Sequence, residues 1–516
     1  MISVLHKGHV ATLAPGWISL LFTLCNWSSA ACAAAAAATG TRRAAYDNVS
    51  SILTTQQWST GTNFSFPGSP EFFPVTERWT TIHAPSYSGV ISPDNEDDLV
   101  KILKLASSNN VPFLATGGRH GYTTTYGRLQ NGLAIDLSHF NSWELNETAR
   151  TVTVGPGVTV GEVLDPLYDA GLAIQTGSSP CPSLIGVSLG GGIGRYQGVY
   201  GLIADALVSA RLITASGDIL NVSKDSHPDL FWAIRGAGSN FGIITSATYE
   251  VHPLIDDGDV FVGEFLVTAE QSSEFFSVLE SMSPLPAELS SIVIIGFDTT
   301  TNKVQFAYIG HEEAGRKAMA PILNLNLTVT RLTVDPWNKL LDNTFGGIIE
   351  AICQPNLARD LYSLNIKNYS ASTYDATFAK MDRFYARHPD ARDAVVQIEF
   401  FPNQAMAAVP LDSTAFSWRD STGYVNFIRY GHGANATARD DAIAKAEIAL
   451  GLEIRDDLAA TSGYPELTVF VNYAHGDERQ ERIYGKEKLP RLAALKKKWD
   501  PHQIFSFNNG LPTHYP

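Results

Sequence analysis

Three places in the chain carry residue types whose spacing could do chemistry. The first is "LATGGRHGYTTTYG", residues 114–127, where His120 follows Gly117, Gly118 and Arg119 and precedes Gly121. An imidazole in so small-residued a loop either caps a turn or has something attached to it. The second is "SLGGGIGRYQG". Gly190, Gly191 and Gly192 in succession are costly to order, and backbone without side chains lets amide N–H groups come close to a ligand, typically phosphate oxygens. The third is "AVVQIEFF", whose alternation places Gln397 and Glu399 on one face of a strand and Val396, Ile398 and Phe400 on the other. A polar face on a sheet that is apolar behind is the arrangement of a catalytic wall; the alternative is a glutamate turned to solvent.

Two further glycine segments point elsewhere. In "TVGPGVTVGEVL", Gly155 and Gly157 flank Pro156, which is turn chemistry between a strand and a helix start. In "RGAGSNFG", Gly236, Gly238 and Gly242 superficially match a dinucleotide fingerprint, which must follow a strand and open a helix. Here the helix-like "PDLFWAIRGAG" comes first and the strand "GIITSATYEV" second. The order is inverted, and a Rossmann fold is rejected.

The elements that must position these residues fall into two textures. "SPDNEDDLVKILKLASSNN" reads as a helix with Leu99, Val100, Ile102, Leu103 and Ala106 on one face and start signals at Ser92, Pro93 and Asp94. "VPFLATGG" is a short strand running into a loop, and "NGLAIDLS", "RTVTVGPGVTVGEVL", "ALVSARLITASGDIL" and "ITSATYEVHP" supply further strands. Beyond about residue 255, "DVFVGEFLVT", "SSIVIIGFD", "KVQFAYIGH", "DAVVQIEFF", "GYVNFIRYG" and "ELTVFVNYA" read as strands of one larger antiparallel sheet, backed by helices such as "QSSEFFSVLESM". "EKLPRLAALKKKWDP" is an amphipathic helix near the end. Helices and strands mix without regular alternation, so the fold class is α+β.

Composition bounds the rest. The 516 residues call for two domains or one large elaborated one, and 44% hydrophobic with 17% charged residues is ordinary globular usage. A net charge of −15 excludes a nucleic-acid backbone as partner. Residues 1–38 hold Lys7, the apolar "WISLLFTLCNW" and a small-residue stretch, the pattern of a secretory signal peptide; the run is too short to span a bilayer. Asn48, Asn63, Asn146, Asn221, Asn326, Asn368 and Asn435 each head an N-x-S/T triplet, as expected of a secreted or lumenal glycoprotein. Past the leader only Cys181 and Cys353 remain, enough for one disulfide in an oxidising compartment and too few for a metal site.

"PFLATGGRHGY", "AIDLS", "VGPGVTVGEV", "SLGGGIGRYQGVYGLIADAL", "DLFWAIRGAGSNFGIITSATYEVHP" and "WDPHQIFSF" occur in this order over most of the chain. Together they resemble the flavin oxidoreductases of the vanillyl-alcohol-oxidase type, in the berberine-bridge-enzyme-like branch, and most of all its fungal members. The resemblance implies a PCMH-type FAD-binding domain over residues 79–254, completed by 476–516, and a substrate domain over 255–475 whose sheet covers the flavin ring. It implies that His120 carries the flavin 8α-methyl covalently. Gly117, Gly118, Arg119 and Gly121 in that loop, with Gly190, Gly191 and Gly192, would cradle the cofactor. Gly155, Asp205, Gly238 and Ile243 through Thr245 match positions near it. Arg119 stands where relatives commonly have a third glycine. Cys181 belongs to a "CP" pair that in some relatives makes a second flavin bond; here the spacing to Gly190 is two residues short, leaving a free thiol or a disulfide with Cys353 as the alternatives.

In the second domain the alternation of "AVVQIEFF" makes Glu399 the candidate base, and the resemblance implies Asn472 as a hydrogen-bond partner of the cofactor and Tyr473 as a substrate-site or proton-accepting residue. Tyr484, Tyr308 and Trp418 are candidate pocket aromatics. The implied activity is hydride transfer from a small organic substrate to FAD with O2 as acceptor, in secondary metabolism, by a monomer. The alternatives are a carbohydrate oxidase and a flavin-bound cyclase or binding protein without net redox.

Overall fold

A computed structural model describes residues 47–296, 301–431 and 438–516. The expected leader and Asn435 lie outside the described residues. Three larger sheets organise the described residues, beside a two-stranded pairing of Leu172–Ala173 with His252–Pro253. A four-stranded sheet orders Asn63–Ser65, Tyr87–Ser92, Gly132–Asp136 and Phe113–Thr116, its last three strands parallel. A five-stranded antiparallel sheet orders Trp143–Asn146, Thr151–Val154, Ile243–Glu250, Leu207–Ile213 and Ile219–Ser223. The third is the expected large antiparallel sheet, with seven strands in the order Thr328–Pro336, Asp259–Thr268, Thr301–Ile309, Leu289–Gly296, Val395–Phe400, Gly423–Tyr430 and Arg359–Ile366. The mixture is α+β.

Local chemistry fixes the elements around the site. The helix Glu96–Ser108 buries Leu99, Ile102, Leu103 and Ala106 against the four-stranded sheet. Its cap is Asn95, one residue beyond the expected start signals: the Asn95 side chain accepts from the Asp98 amide. Glu96, Asp97 and Asp98 then place negative charge at the helix's positive end. The seven-stranded sheet alternates as its sequence predicts. Val293, Val396, Ile398, Phe400, Val425 and Phe427 pack behind it in one core with the helices Ala269–Ser281 and Ala371–Arg387. Cross-strand pairing carries Arg331, Glu264, Gln305, Ile292, Glu399, Tyr424 and Asn365 in one transverse row on the opposite face.

"ELTVFVNYA" is not a strand. The segment gives one backbone bond to the sheet, from the Asn365 amide to the Thr468 carbonyl, and then closes into a single turn, Val471–Tyr473, with the Tyr473 amide on the Phe470 carbonyl. The Asn472 side chain donates to the Val187 carbonyl at 2.9 Å, which draws the turn away from the sheet and toward the first domain. Two strands, Thr328–Pro336 and Arg359–Ile366, complete the sheet beyond those read from sequence. The helix Leu489–Trp499 inserts Leu489, Leu492 and Leu495 into the core that holds Val152, Val154 and Leu212, so the late chain returns to the early domain.

Candidate active site

Between the early domain and the polar face of the seven-stranded sheet lies a cavity of about 360 Å³. The loop after Phe113–Thr116 forms one wall, bringing Gly117, Gly118, Arg119, His120 and Gly121 together there with Ile243. The sheet supplies Gln397 and Glu399 opposite, and the turn 471–473 supplies Asn472 and Tyr473. Ser506, Phe507 and Asn508 close the remaining side. The wall is built by backbone meeting backbone. A Cβ on Gly117 would stand 2.0 Å from the Pro156 carbonyl oxygen, and one on Gly118 would stand 2.7 Å from the Ser183 nitrogen.

Arg119 acquires a physical account. Its φ is +54°, a left-handed backbone where glycine sits without strain and an arginine costs about 1 kcal/mol. Its guanidinium pairs with Asp136 at 2.8 Å, and Asp136 also accepts from Ser92 and Ser138. Arginine here ties the loop to the strand Gly132–Asp136.

His120 is held by an aromatic stack. Its ring lies 4.6 Å from Trp79 at 22°. The Trp79 indole donates to the Ile352 carbonyl at 2.6 Å, and the Arg359 guanidinium covers its ring at 4.3 Å. Burial, with Arg359 and Arg78 nearby, pushes the imidazole down to about 3, so it is neutral throughout the physiological range. Trp79 and Arg359 were not visible as site residues; an isolated tryptophan in "ERWTT" carries no local signal.

Glu399 is fully buried, which removes the reading of a solvent-facing glutamate. One carboxylate oxygen accepts from Ser178 Oγ at 2.7 Å and Gln397 Nε2 at 3.0 Å, and the other accepts from the Tyr473 hydroxyl at 3.0 Å. Desolvation raises its pKa against these three donors and the charge of the buried Arg195. Burial and the adjoining carboxylate push the Tyr473 phenol well above its ordinary value. Tyr473 therefore stands as a neutral donor with surface toward the cavity, and Glu399 as the acceptor behind it. Ser178 was missed because only the fold brings residues 178 and 399 together.

Several expected cofactor positions are not on the wall. Gly190 makes room for Asn472, whose Oδ1 would be 2.1 Å from an added Cβ. Gly191 and Gly192, at φ +124° and +81°, pack against Phe416 and Ile203. Gly155 meets the Phe140 carbonyl, and Gly238 meets Leu189. Asp205 forms a buried two-point pair with Arg419 at 2.7 and 2.9 Å. Thr245 donates to Glu96 on the outer side of its strand, although Ile243 and Ile244 do line the cavity. These are close-packing and pairing positions that support the wall from behind. Cys181 is bonded to Cys353, so it is not available for a flavin link; the pair joins the loop beside His120 to the helix Ile349–Cys353, with Cys181 Sγ 4.0 Å from His120 Nε2. Tyr484 is buried between Asn240 and the Asn509 carbonyl, Trp418 donates to the Ile483 carbonyl, and neither they nor Tyr308 reach the cavity.

The residues present fit a flavin nucleotide: a glycine cradle that side chains would fill, an imidazole held neutral in the wall, and a polar sheet face across from it. Among the described residues no cluster of His, Cys, Asp and Glu could hold a metal, and no helix is long and apolar enough to cross a membrane.

Residues 87–223 match the family model described as an FAD binding domain, and residues 469–512 match the one described as berberine and berberine like. The chain is 45% identical to the FAD-linked oxidoreductase fogF of Aspergillus ruber, covering 89% of this chain and 93% of the relative. It is likewise 45% identical to the FAD-linked oxidoreductase srdI of Neurospora crassa, covering 90% and 92%. Among solved structures, wild-type Physcomitrella patens BBE-like 1 superposes with a TM-score of 0.75 at 22% identity, over 88% of this chain and 98% of that one. The Acremonium strictum glucooligosaccharide oxidase, whose structure is described as revealing a novel flavinylation, superposes at 0.74 and 20% identity over 88% and 97%.

Proposed function

The chain belongs to the FAD-linked oxidoreductases of the berberine-bridge-enzyme-like family, and from that premise we propose an oxidase carrying its flavin on His120, with Tyr473 and Glu399 taking the substrate's hydroxyl proton. The observation that carries the reading is the 3.0 Å contact between the Tyr473 hydroxyl and the Glu399 carboxylate at the cavity wall. When bound, FAD supplies the hydride acceptor and returns the electron pair to O2 as H2O2. The backbone of 117–121 and the Asn472 turn would hold it. Tyr473 accepts the hydroxyl proton as it passes its own to Glu399, and Ser178 and Gln397 keep that carboxylate oriented.

The substrate end of the cavity favours a largely apolar organic metabolite over a carbohydrate. Ile292, Ile294, Ile348, Ile352, Leu361 and Ile428 supply much of its surface, with Gln397, Asn426, Thr344 and Tyr122 as polar side chains lining it beside Tyr473 and Glu399. A sugar would leave several hydroxyls unpaired on such a wall. Exposure of Asn48, Asn63, Asn146, Asn221, Asn326 and Asn368, together with the disulfide, supports a glycosylated enzyme of the secretory lumen or exterior.

Oxygen-dependent H2O2 release from the purified protein, with phenolic or polyketide alcohols compared against oligosaccharides, tests the reading. Turnover of sugars alone would replace it with the carbohydrate oxidase. Product formation without H2O2 would replace it with a dehydrogenase or a redox-neutral cyclase.

A further inference from the structure

His120 is stacked on Trp79, which the other half of the molecule holds in place through Arg359 and Ile352, and that grip has no part in substrate chemistry. Trp79 lies flat on the imidazole at 4.6 Å. Behind it, Arg359 covers the indole at 4.3 Å and donates to the carbonyls of Trp79 and Gln354 at 2.7 Å and of Ala351 at 3.3 Å. The helix Ile349–Cys353 then closes the assembly twice: the Ile352 carbonyl takes the indole N–H, and Cys353 is joined to Cys181 beside the imidazole. Trp79 and Arg359 are both buried. So large a cation with its desolvated partners is expensive to place without a role.

We propose that Trp79 and Arg359 are positioning residues for flavin attachment: the indole fixes the plane of the His120 ring, and the guanidinium behind it holds the indole in place. This rests on His120 being the attachment site. Attachment forms one N–C bond between the imidazole and the flavin 8α-methyl carbon. It releases one methyl hydrogen and the imidazole N–H hydrogen as protons, and leaves two electrons that O2 removes as H2O2. Only an unprotonated imidazole nitrogen has the lone pair for that bond. The charged groups facing the ring are Arg359 and Arg78; Arg119, next in sequence, is neutralised by Asp136, and Cys181 is in a disulfide. Among the described residues no carboxylate offsets these cations at the ring.

The test uses the full chain produced under riboflavin limitation, mixed with FAD, with the flavin that survives denaturation followed over time and pH. Wild type is expected to attach FAD at a rate that changes less than about twofold between about pH 5 and 7.5, because the imidazole is already neutral. Arg359→Gln, which removes the cation that covers the indole and its bonds to the Trp79, Gln354 and Ala351 carbonyls, is expected to slow attachment at least about fivefold at every pH. Arg359→Lys, which keeps the charge without the planar fork, is expected to recover only part of the rate, with the flat profile unchanged. Trp79→Leu is expected to slow attachment roughly tenfold or more at every pH, and Trp79→Phe to recover most of it, since misplacing a reacting group is costly. Non-covalent FAD binding and the melting midpoint identify any variant that has not folded, and the Phe and Lys variants then decide. Attachment by Arg359→Gln or by Trp79→Leu at the wild-type rate overturns the proposal. Loss of all flavin from denatured wild type, or its retention in His120→Ala, overturns the attachment site itself and is read separately.

Discussion

The seven-stranded sheet buries carboxylates on both faces and treats them oppositely. On the cavity face Glu399 accepts from a serine, an amide and a phenol, and its pKa is raised. On the helix-backed face Asp360 meets the Arg429 guanidinium at 3.0 Å and His475 at 2.9 Å, and its pKa is lowered. Neutral donors orient a carboxylate while leaving its appetite for a proton; cations satisfy that appetite and make it structural. The backing differs to match. Behind Asp360 lie Val425, Phe427 and the packed helices, whereas in front of Glu399 lies a cavity.

The sharpest way to break this contrast is Glu399→Gln. It should lower turnover by about 10²- to 10⁴-fold while the melting midpoint stays close to wild type, as expected for loss of a proton acceptor with its shape retained. Steady-state H2O2 release and a thermal melt check both halves. One residue on, Phe400→Ala should do the reverse, costing about 3–5 kcal/mol of stability with turnover at low temperature within about twofold of wild type. Equal damage to activity from both would erase the distinction between faces. Tyr473→Phe should reduce turnover less, roughly tenfold, and move the acid limb of the pH–rate profile upward. The sign follows from the phenol O–H, which favours ionised Glu399; without it the carboxyl holds its proton to higher pH. A downward move would assign the acid limb to another group.

The smallest effect tests the structural face. His475, between Asp360 and Asp477, is raised to about 9. A folded pKa above the unfolded value contributes stability that is complete below about pH 6.5 and is lost as pH climbs through about 9. The wild-type melting midpoint should therefore fall across that window more steeply than that of His475→Gln, with turnover per folded molecule unaffected by the substitution.

How much of this could be read beforehand depended on the range of the cause. Alternation within six residues placed Gln397 and Glu399 on the cavity face, because a strand's period is local. The glycine, arginine and histidine of residues 117–120 could be placed in a cofactor wall through family resemblance. The Gly190–Gly192 run defeated the same reasoning. Glycine is demanded equally by a ligand and by a neighbouring Phe416, Ile203 or Asn472, and the sequence around the run does not say which. Tyr473 was placed in the wall but on the wrong element, since the Asn472–Val187 bond that coils its segment spans 285 positions. Trp79, Ser178 and Arg359 stayed hidden for the same reason: each acts through partners more than 200 residues away.

The closing of the cavity by Ser506, Phe507 and Asn508 has a consequence in time. Asn509 bonds Thr123 and Thr125, in the loop that follows His120, and Phe505 packs beneath the first sheet. A chain emerging from the ribosome can form both early sheets and most of the large one while this last piece is still unmade. Until it arrives, the histidine loop is open along one side and the residues that would enclose a flavin are incomplete. The expected consequence is that loading waits for residues 505–509: a nascent chain arrested before them should be folded in large part and retain no FAD.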